Sequence, residues 1–107
     1  GPTVGLPPIS RWEQRDPEAA ARIARIRPVV KEIAESNTVP VENLLAPDLV
    51  RQLAWDGVAS PATPDVVDAY RAAGGARPWQ RELTDVALAE ALTAAAERAS
   101  DEADRND

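Results

Sequence analysis

The sequence predicts an all-α protein, a compact bundle of about five helices in one domain. Three stretches carry the proline and acidic residues that are typical of a helix start. They are Asp16-Pro17-Glu18, Pro47-Asp48 and Thr63-Pro64-Asp65. Apolar residues then recur at spacings of three and four, which is the helical period, and no stretch alternates as a half-buried strand does. At 107 residues, the chain is long enough for one core.

The densest apolar segment, residues 39–55, is predicted to be the centre of the bundle. Pro47 suits the first position of a short helix, and the apolar residues after it recur on one face. A helix this short is not stable alone in water, so longer helices on either side must cover it. The residues expected to be buried there are Leu44, Leu45, Leu49 and Leu53.

The N-terminal part is predicted to be an extended arm followed by a long helix. The prolines of residues 1–15 favour an arm that lies on the helices and is anchored by Trp12, and Gly1-Pro2 is interpreted as a scar of tag removal. A helix is predicted over residues 16–36, where apolar residues keep a 3-4-3-4 rhythm. Because this rhythm continues across Pro28, we predict one kinked helix rather than two.

Three further helical segments are predicted in the second half. After a loop at residues 56–62, a helix begins at Thr63 and ends at Gly74-Gly75, since glycine readily adopts the left-handed conformation of a helix end. Residues 76–79 open a short helical segment, and Thr84-Asp85 is predicted to cap the last helix. The packing stripe predicted for that helix is Val86, Leu88, Ala91, Leu92, Ala95 and Ala99.

Composition excludes most catalytic chemistry. The chain has no cysteine and no histidine, which excludes disulfides, thiol nucleophiles, imidazole bases and the usual zinc ligands. Its net charge of −6 opposes binding to nucleic acid as a whole. Residues 100–107 carry part of this acidity without apolar periodicity and are predicted to be an acidic disordered tail. Without a long apolar run or a signal-peptide pattern, we expect a cytoplasmic protein that makes no membrane contact.

Four motifs, taken in chain order, resemble a known helical module. They are Arg-Asp-Pro-Glu-Ala-Ala-Ala-Arg, Val-Pro-Val-Glu-Asn-Leu-Leu, Pro-Asp-Leu-Val-Arg-Gln-Leu-Ala-Trp and Ala-Arg-Pro-Trp-Gln. In this order the chain resembles the C-terminal helical region of actinobacterial ribonuclease D-like 3′–5′ exonucleases. That region belongs to the helicase-and-RNase-D C-terminal (HRDC) class and has a SAM-like helical architecture. The resemblance covers residues 11 to 98 and implies an HRDC-like domain at residues 16–99.

The resemblance implies a non-catalytic accessory domain. Exonucleases of this family use two metal ions held by acidic residues, the first two arranged as Asp-x-Glu on a strand. Asp16-Pro17-Glu18 has that spacing but is interpreted as a helix start. The acidic pairs Asp65 with Asp68 and Glu32 with Glu35 are interpreted as solvated helix surface. We therefore expect no catalytic residue, metal or cofactor in this chain.

The resemblance also implies partners. They are the catalytic exonuclease domain of the same parent chain and, weakly, RNA or single-stranded DNA, and the domain is expected to be a monomer. Since the chain is acidic overall, nucleic-acid affinity must come from a local cluster of cations. The compact candidate cluster is Arg71, Arg77 and Arg81, with Trp79 expected mainly in the core. A second, weaker candidate face consists of Arg22, Arg25 and Lys31. The alternative interpretation is that these three cations are solvated charges on the helix surface.

Two functions stay open at this point. The first is a weak nucleic-acid-binding appendage of an exonuclease, and the second is a protein-interaction or intramolecular docking module. If Arg77 and Arg81 are free of neighbouring acids, the first is favoured. If they form ion pairs beside an exposed apolar patch, the second is favoured.

Overall fold

The computed structural model describes residues 5–106, and over this range the prediction of an all-α bundle is confirmed. Four helices span ten residues or more, and two are single turns. The elements are a 3₁₀ turn Ile9–Arg11 and the helices α1 (Trp12–Arg15), α2 (Pro17–Ser36), α3 (Val41–Leu44), α4 (Pro47–Asp56), α5 (Pro64–Ala73) and α6 (Pro78–Asn106).

The predicted starts of α2 and α5 are confirmed by their caps. The carboxylate of Asp16 accepts a hydrogen bond from the backbone N–H of Ala19 at 3.1 Å. The hydroxyl of Thr63 accepts one from the N–H of Val66 at 3.3 Å. Each cap satisfies a backbone donor that the first turn leaves without a partner, a contribution of about 1 kcal/mol. Proline follows each cap, where its missing N–H costs nothing.

The N-terminal segment differs from the predicted extended arm. Residues 9–15 form the 3₁₀ turn and α1, and the prediction for Gly1-Pro2 lies outside the described residues. Trp12 does anchor the segment, because its side chain is fully buried and its indole N–H donates to the carbonyl of Pro7 at 2.8 Å. Its ring meets that of Trp55 edge to face, with centroids 5.1 Å apart. One buried aromatic therefore ties this segment to the end of α4.

Helix α2 is the central element of the bundle and continues through Pro28, so the prediction of one helix there is confirmed. Pro28 and the preceding turn's Ala24 are both exposed. Because that side faces solvent, the carbonyl that loses its hydrogen bond to the proline can be hydrated. The opposite face is buried at the spacing of three and four that the sequence shows. Its buried residues are Ala19, Ile23, Ile26, Val30 and Ala34.

The core lies where α2 meets α4 and α6, and α5 packs on α6. The predicted central segment is buried as expected at Leu44, Leu45 and Leu53, while Leu49 is partly buried. Leu88 and Leu92 complete the core from α6. Within residues 5–106, no helix has the length and apolar character needed to cross a membrane.

Helix α6 corrects two predictions. It is one helix from Pro78 to Asn106, so Thr84 and Asp85 lie inside it and do not cap a new helix. Thr84 is buried, and its hydroxyl donates to the carbonyl of Gln80, one turn earlier, at 2.7 Å. That bond satisfies the hydroxyl without ending the helix. Residues 100–106, predicted to be disordered, continue α6 as an exposed helical end.

Candidate functional site

Arg71, predicted to face a nucleic acid, is buried between α5 and α6. Only 4% of the residue is exposed. Its Nη1 donates to the hydroxyl of Thr84 and, at 2.7 Å, to the carboxylate of Asp85. A guanidinium in this position cannot meet a phosphate on the surface. Arg71 instead joins α5 to α6 through a buried ion pair.

Arg81 is also engaged within the domain. Its Nε donates to the carboxylate of Asp68 at 2.8 Å, and its Nη1 donates to the carbonyl of Ala76 at 2.6 Å. The second bond ties α6 to the turn after α5. Arg81 and Arg71 therefore form two neighbouring ion pairs across one helix contact, which we call the α5–α6 polar seam.

The two carboxyl groups of the seam differ in acidity. Asp68 and Asp85 interact by a hydrogen bond, which lowers the pKa of Asp68, and Arg81 lowers it further. The pKa of Asp85 is raised, first by burial and then by the same hydrogen bond. Burial likewise lowers the pKa of the Arg71 guanidinium from its ordinary value, although an arginine stays charged at neutral pH.

Arg77 is the exposed member of the predicted cluster, and no ion pair forms at its side chain within residues 5–106. It sits just before α6, where its backbone N–H donates to Oε1 of Gln80 at 2.7 Å. Gln80 in turn donates from Nε2 to the carbonyl of Asn43 in the α3 turn at 2.7 Å. This back-bonding glutamine at the third helical position explains the Arg77-Pro78-Trp79-Gln80 motif as a helix start. The three arginines do not form one exposed patch.

The second predicted face is divided as well. Arg22 donates to the carbonyls of Ala54 and Trp55, at 2.6 and 3.0 Å, and so caps the C-terminal end of α4. Arg25 and Lys31 are exposed. Lys31 follows Arg22 by nine positions, which places it about 180° away around the helix. The three cations therefore do not share one surface.

The solvent-facing side of α6 is apolar over its first turns, although the solvent-facing side of a surface helix is usually polar. Trp79, Leu83 and Val86 are 43%, 37% and 59% exposed. Their spacing of four and three places them on one side of the helix, and the fully buried Leu88 lies about 180° from Trp79. We call these three residues the outer face of α6. They correct two predictions, that Trp79 lies in the core and that Val86 belongs to the packing stripe.

The signal for the outer face was present in the sequence. Trp79, Leu83 and Val86 have the i, i+4, i+7 spacing of an apolar helix face. The prediction of a helix break at Thr84-Asp85 divided this set between two helices. Once α6 is continuous, the three residues fall on one side.

Acidic residues form no metal centre in the described chain. Among residues 5–106, no group of three or more acidic side chains could hold a metal ion. Asp16 caps α2, and Asp68 pairs with Arg81. The site therefore consists of an internally paired polar seam and an apolar outer face on the same helix.

Within residues 5–106, these features define a small all-helical domain with an exposed apolar face on its last helix. The chain matches the family described as 3′ to 5′ exonuclease C-terminal domain over residues 5–92. Since this match covers most of the chain, the chain belongs to that family. It is thus a helical domain associated with an exonuclease.

A solved structure supports the same fold. The chain is similar to a protein from Bifidobacterium adolescentis, with 33% sequence identity and a TM-score of 0.61. The similarity covers 88% of this chain and 23% of that protein, so the chain spans less than a quarter of its length. No curated protein matches the chain.

Proposed function

We propose that this chain is the non-catalytic, HRDC-type accessory domain of a ribonuclease D-like 3′–5′ exonuclease of the cytoplasm, and that the outer face of α6 docks on the catalytic domain of the same parent. The observation that carries the proposal is the outer face itself. It is apolar and points away from the domain's own core. The domain needs no cofactor for this role.

The outer face fits a protein partner because of its composition. Contiguous exposed apolar patches with a polar rim mark sites of protein interaction. Tryptophan is the residue most enriched among the side chains that dominate binding energy, and aliphatic neighbours exclude water around it. Trp79 beside Leu83 and Val86 has this composition. Glu82 and Glu90 are exposed on the same side of α6 and supply a charged rim.

The charges support a protein partner over a nucleic acid. The chain carries −6, and Arg71 and Arg81 are held by Asp85 and Asp68. Of the two arginines that decide between the functions, Arg81 forms an ion pair near an exposed apolar patch, which favours docking, whereas Arg77 forms no ion pair within residues 5–106. Affinity for a polyanion rises with the number of cations free to contact phosphate. With Arg71 and Arg81 held by carboxylates, Arg77 is the one member of this cluster left to contact a phosphate.

The proposal is tested by measuring binding between this chain and the separately purified catalytic region of its parent by calorimetry. Val86→Asp places a charge on the outer face and is expected to weaken binding at least about tenfold. Ala24→Asp is the matched control, because it adds the same charge at an exposed position of α2. It should leave the affinity within about twofold.

Two results would contradict the proposal. One is equal loss, or no loss, of affinity in both variants while both stay folded. The other is self-association of the chain in analytical ultracentrifugation that Val86→Asp abolishes, since the outer face would then serve a second copy.

A second candidate function is weak binding of single-stranded nucleic acid at the start of α6. Arg77 and Trp79 are both exposed there, and an aromatic ring beside a guanidinium can stack a base and contact a phosphate. With few phosphate contacts, the salt dependence should be shallow, about −0.7 per contact. A fluorescence titration with short RNA tests this candidate, with Arg77→Glu expected to abolish binding. Unchanged binding in Arg77→Glu would exclude it.

A further inference from the structure

The two charged residues next to Val86 on the solvent-facing side of α6 are both acidic. Glu82 lies four residues before Val86 and Glu90 four residues after it, so each is one helical turn from Val86 on the same side of the helix. Glu82 and Glu90 are about 12 Å apart along the helix axis. Both are exposed, and neither forms an ion pair within residues 5–106. Two free carboxylates therefore flank the apolar outer face.

The other charges of α6 do not balance this pair. Over residues 78–96, the remaining charged side chains are Arg81 and Asp85, and both are engaged in the polar seam. Arg77 precedes the helix, at the end of the outer face opposite to Glu90. Beyond residue 96 both signs are mixed, because one shallow polar pocket is lined by Arg25, Glu97, Arg98, Asp101, Glu102 and Arg105. Over residues 78–96, the exposed charge of α6 is therefore only negative.

These two carboxylates argue against two occupants of the outer face. A nucleic acid carries a negative phosphate at every nucleotide, and Glu82 and Glu90 would repel it. A second copy of the chain would place the same face against itself in a two-fold dimer. Carboxylates would then lie near the carboxylates of the copy, and like charges across an interface cost affinity. Neither occupant offers Glu82 and Glu90 a favourable partner.

A catalytic region that binds nucleic acid offers the opposite charge. The chain belongs to the exonuclease C-terminal domain family, and the function proposed above makes the catalytic domain of the same parent its partner. An enzyme that acts on a polyanion presents clustered lysine and arginine residues where its substrate lies. Cations on such a surface can pair with Glu82 and Glu90. Opposite charges across an interface fix its register and raise the rate of association.

We propose that the outer face of α6 docks on an apolar socket of the catalytic region that is flanked by two cations about 12 Å apart. Trp79, Leu83 and Val86 fill the socket, and one cation pairs with each of Glu82 and Glu90. This inference rests on the function proposed above and names the chemistry of the partner surface. It makes docking depend on salt and on the sign of the charge at two positions.

The test measures binding of this chain to the purified catalytic region of its parent by surface plasmon resonance at two salt concentrations. Glu82→Gln with Glu90→Gln removes both charges and leaves the apolar residues unchanged. At about 0.05 M salt, this double variant should bind about three- to tenfold more weakly than the unchanged chain, mainly through slower association. At about 0.5 M salt, exposed charges are largely screened, so the two should bind within about twofold of each other.

Glu32→Gln with Glu35→Gln is the matched control. It removes the same charge at two exposed positions of α2 that form no ion pair within residues 5–106. Its affinity should stay within about twofold of the unchanged chain at both salt concentrations. Charge reversal then gives the sign of the partner surface. Glu82→Lys with Glu90→Lys should bind more weakly than the glutamine variant, because like charges then meet.

Three outcomes would overturn the inference. The first is equal affinity of the Glu82→Gln, Glu90→Gln variant and its control at low salt. The second is tighter binding of the lysine variant, which means that the partner surface is acidic. After either result, a loss of binding in Val86→Asp would still support docking at the outer face, so the proposed function would stand without this inference. The third is no binding of the unchanged chain to the catalytic region, whether or not it binds RNA or itself, and this result overturns both.

Discussion

The first turns of α6 have two sides that differ in polarity. The side that faces α5 carries buried polar residues, and the side that faces solvent carries exposed apolar residues. The inward side carries Thr84 and Asp85, both buried. The outward side carries Trp79 and Val86, both exposed. A surface helix normally buries its apolar stripe and solvates its polar one. Both departures on one short stretch indicate that this part of α6 serves more than the stability of the bundle.

The two sides of α6 contribute differently to the stability of the fold. The polar seam is tolerated inside because each charge has a partner, and its pairing fixes how α5 sits against α6. A buried ion pair adds little net stability over apolar packing, yet breaking it by removing one partner is costly. The outer face has no such internal role, so its residues can change with little effect on folding. The predictions below separate these roles.

The largest expected effect is at Arg71. Arg71→Met leaves the carboxylate of Asp85 buried without its partner and should lower the free energy of unfolding by about 3–5 kcal/mol. Arg71→Met with Asp85→Leu removes both charges and should recover most of that loss. Urea unfolding of the parent, the single variant and the double variant measures both changes. A single variant as stable as the parent would show that the ion pair does not hold the seam.

A smaller effect concerns the two carboxyls of the seam, which should titrate on opposite sides of the ordinary value of 3.8. The lowered pKa of Asp68 stabilises the fold above 3.8, and this contribution is lost as the pH falls through its folded pKa. The raised pKa of Asp85 has the opposite sign, because its contribution is present below 3.8 and is lost as the pH rises through its folded pKa. ¹³C NMR of the carboxyl carbons gives both midpoints.

Asp68→Asn sharpens this result. It replaces the carboxylate that raises the pKa of Asp85 with a neutral amide, which can donate a hydrogen bond to the ionised Asp85, so the Asp85 midpoint should move down towards 3.8. Burial should still hold it above 3.8. An Asp85 midpoint that does not respond to Asp68→Asn would show that the two carboxyls do not interact.

The smallest expected effect is on the outer face. Val86→Asp should change the free energy of unfolding by no more than about 0.5 kcal/mol, because the side chain is exposed and makes no buried bond. Its thermal unfolding, compared with that of Ala24→Asp, provides the measurement. A loss as large as that of Arg71→Met would place Val86 in the fold after all.

Local signals predicted the helix starts well. Asp16 and Thr63 cap their helices as the sequence indicates, because a cap and its proline depend on only the next three residues. The continuity of α2 across Pro28 was predictable for a related reason, since the apolar period is itself a property of the chain. The burial of the leucines in residues 39–55 was predictable from the density and the helical spacing of the apolar residues there.

The errors arise where the structure around a residue depends on a partner that is distant in the sequence. Thr84-Asp85 has the composition of a cap, but Arg71 of α5 engages both side chains inside a continuous helix. No local pattern shows that contact. The same applies to Arg81, whose partner Asp68 lies thirteen positions earlier in the chain. The candidate cluster was selected on charge and on closeness in sequence, and tertiary pairing determined which of its charges stay free.

The most direct test of the central claim, that the outer face of α6 is the docking surface, is an NMR footprint. The ¹⁵N-labelled chain is mixed with the unlabelled catalytic region of its parent, and the backbone amides and the indole N–H groups are observed. The account predicts that the largest changes fall on Trp79, Leu83 and Val86, including the Trp79 indole. Changes confined to α2 or to the α4 surface, with the Trp79 indole unaffected, would contradict it.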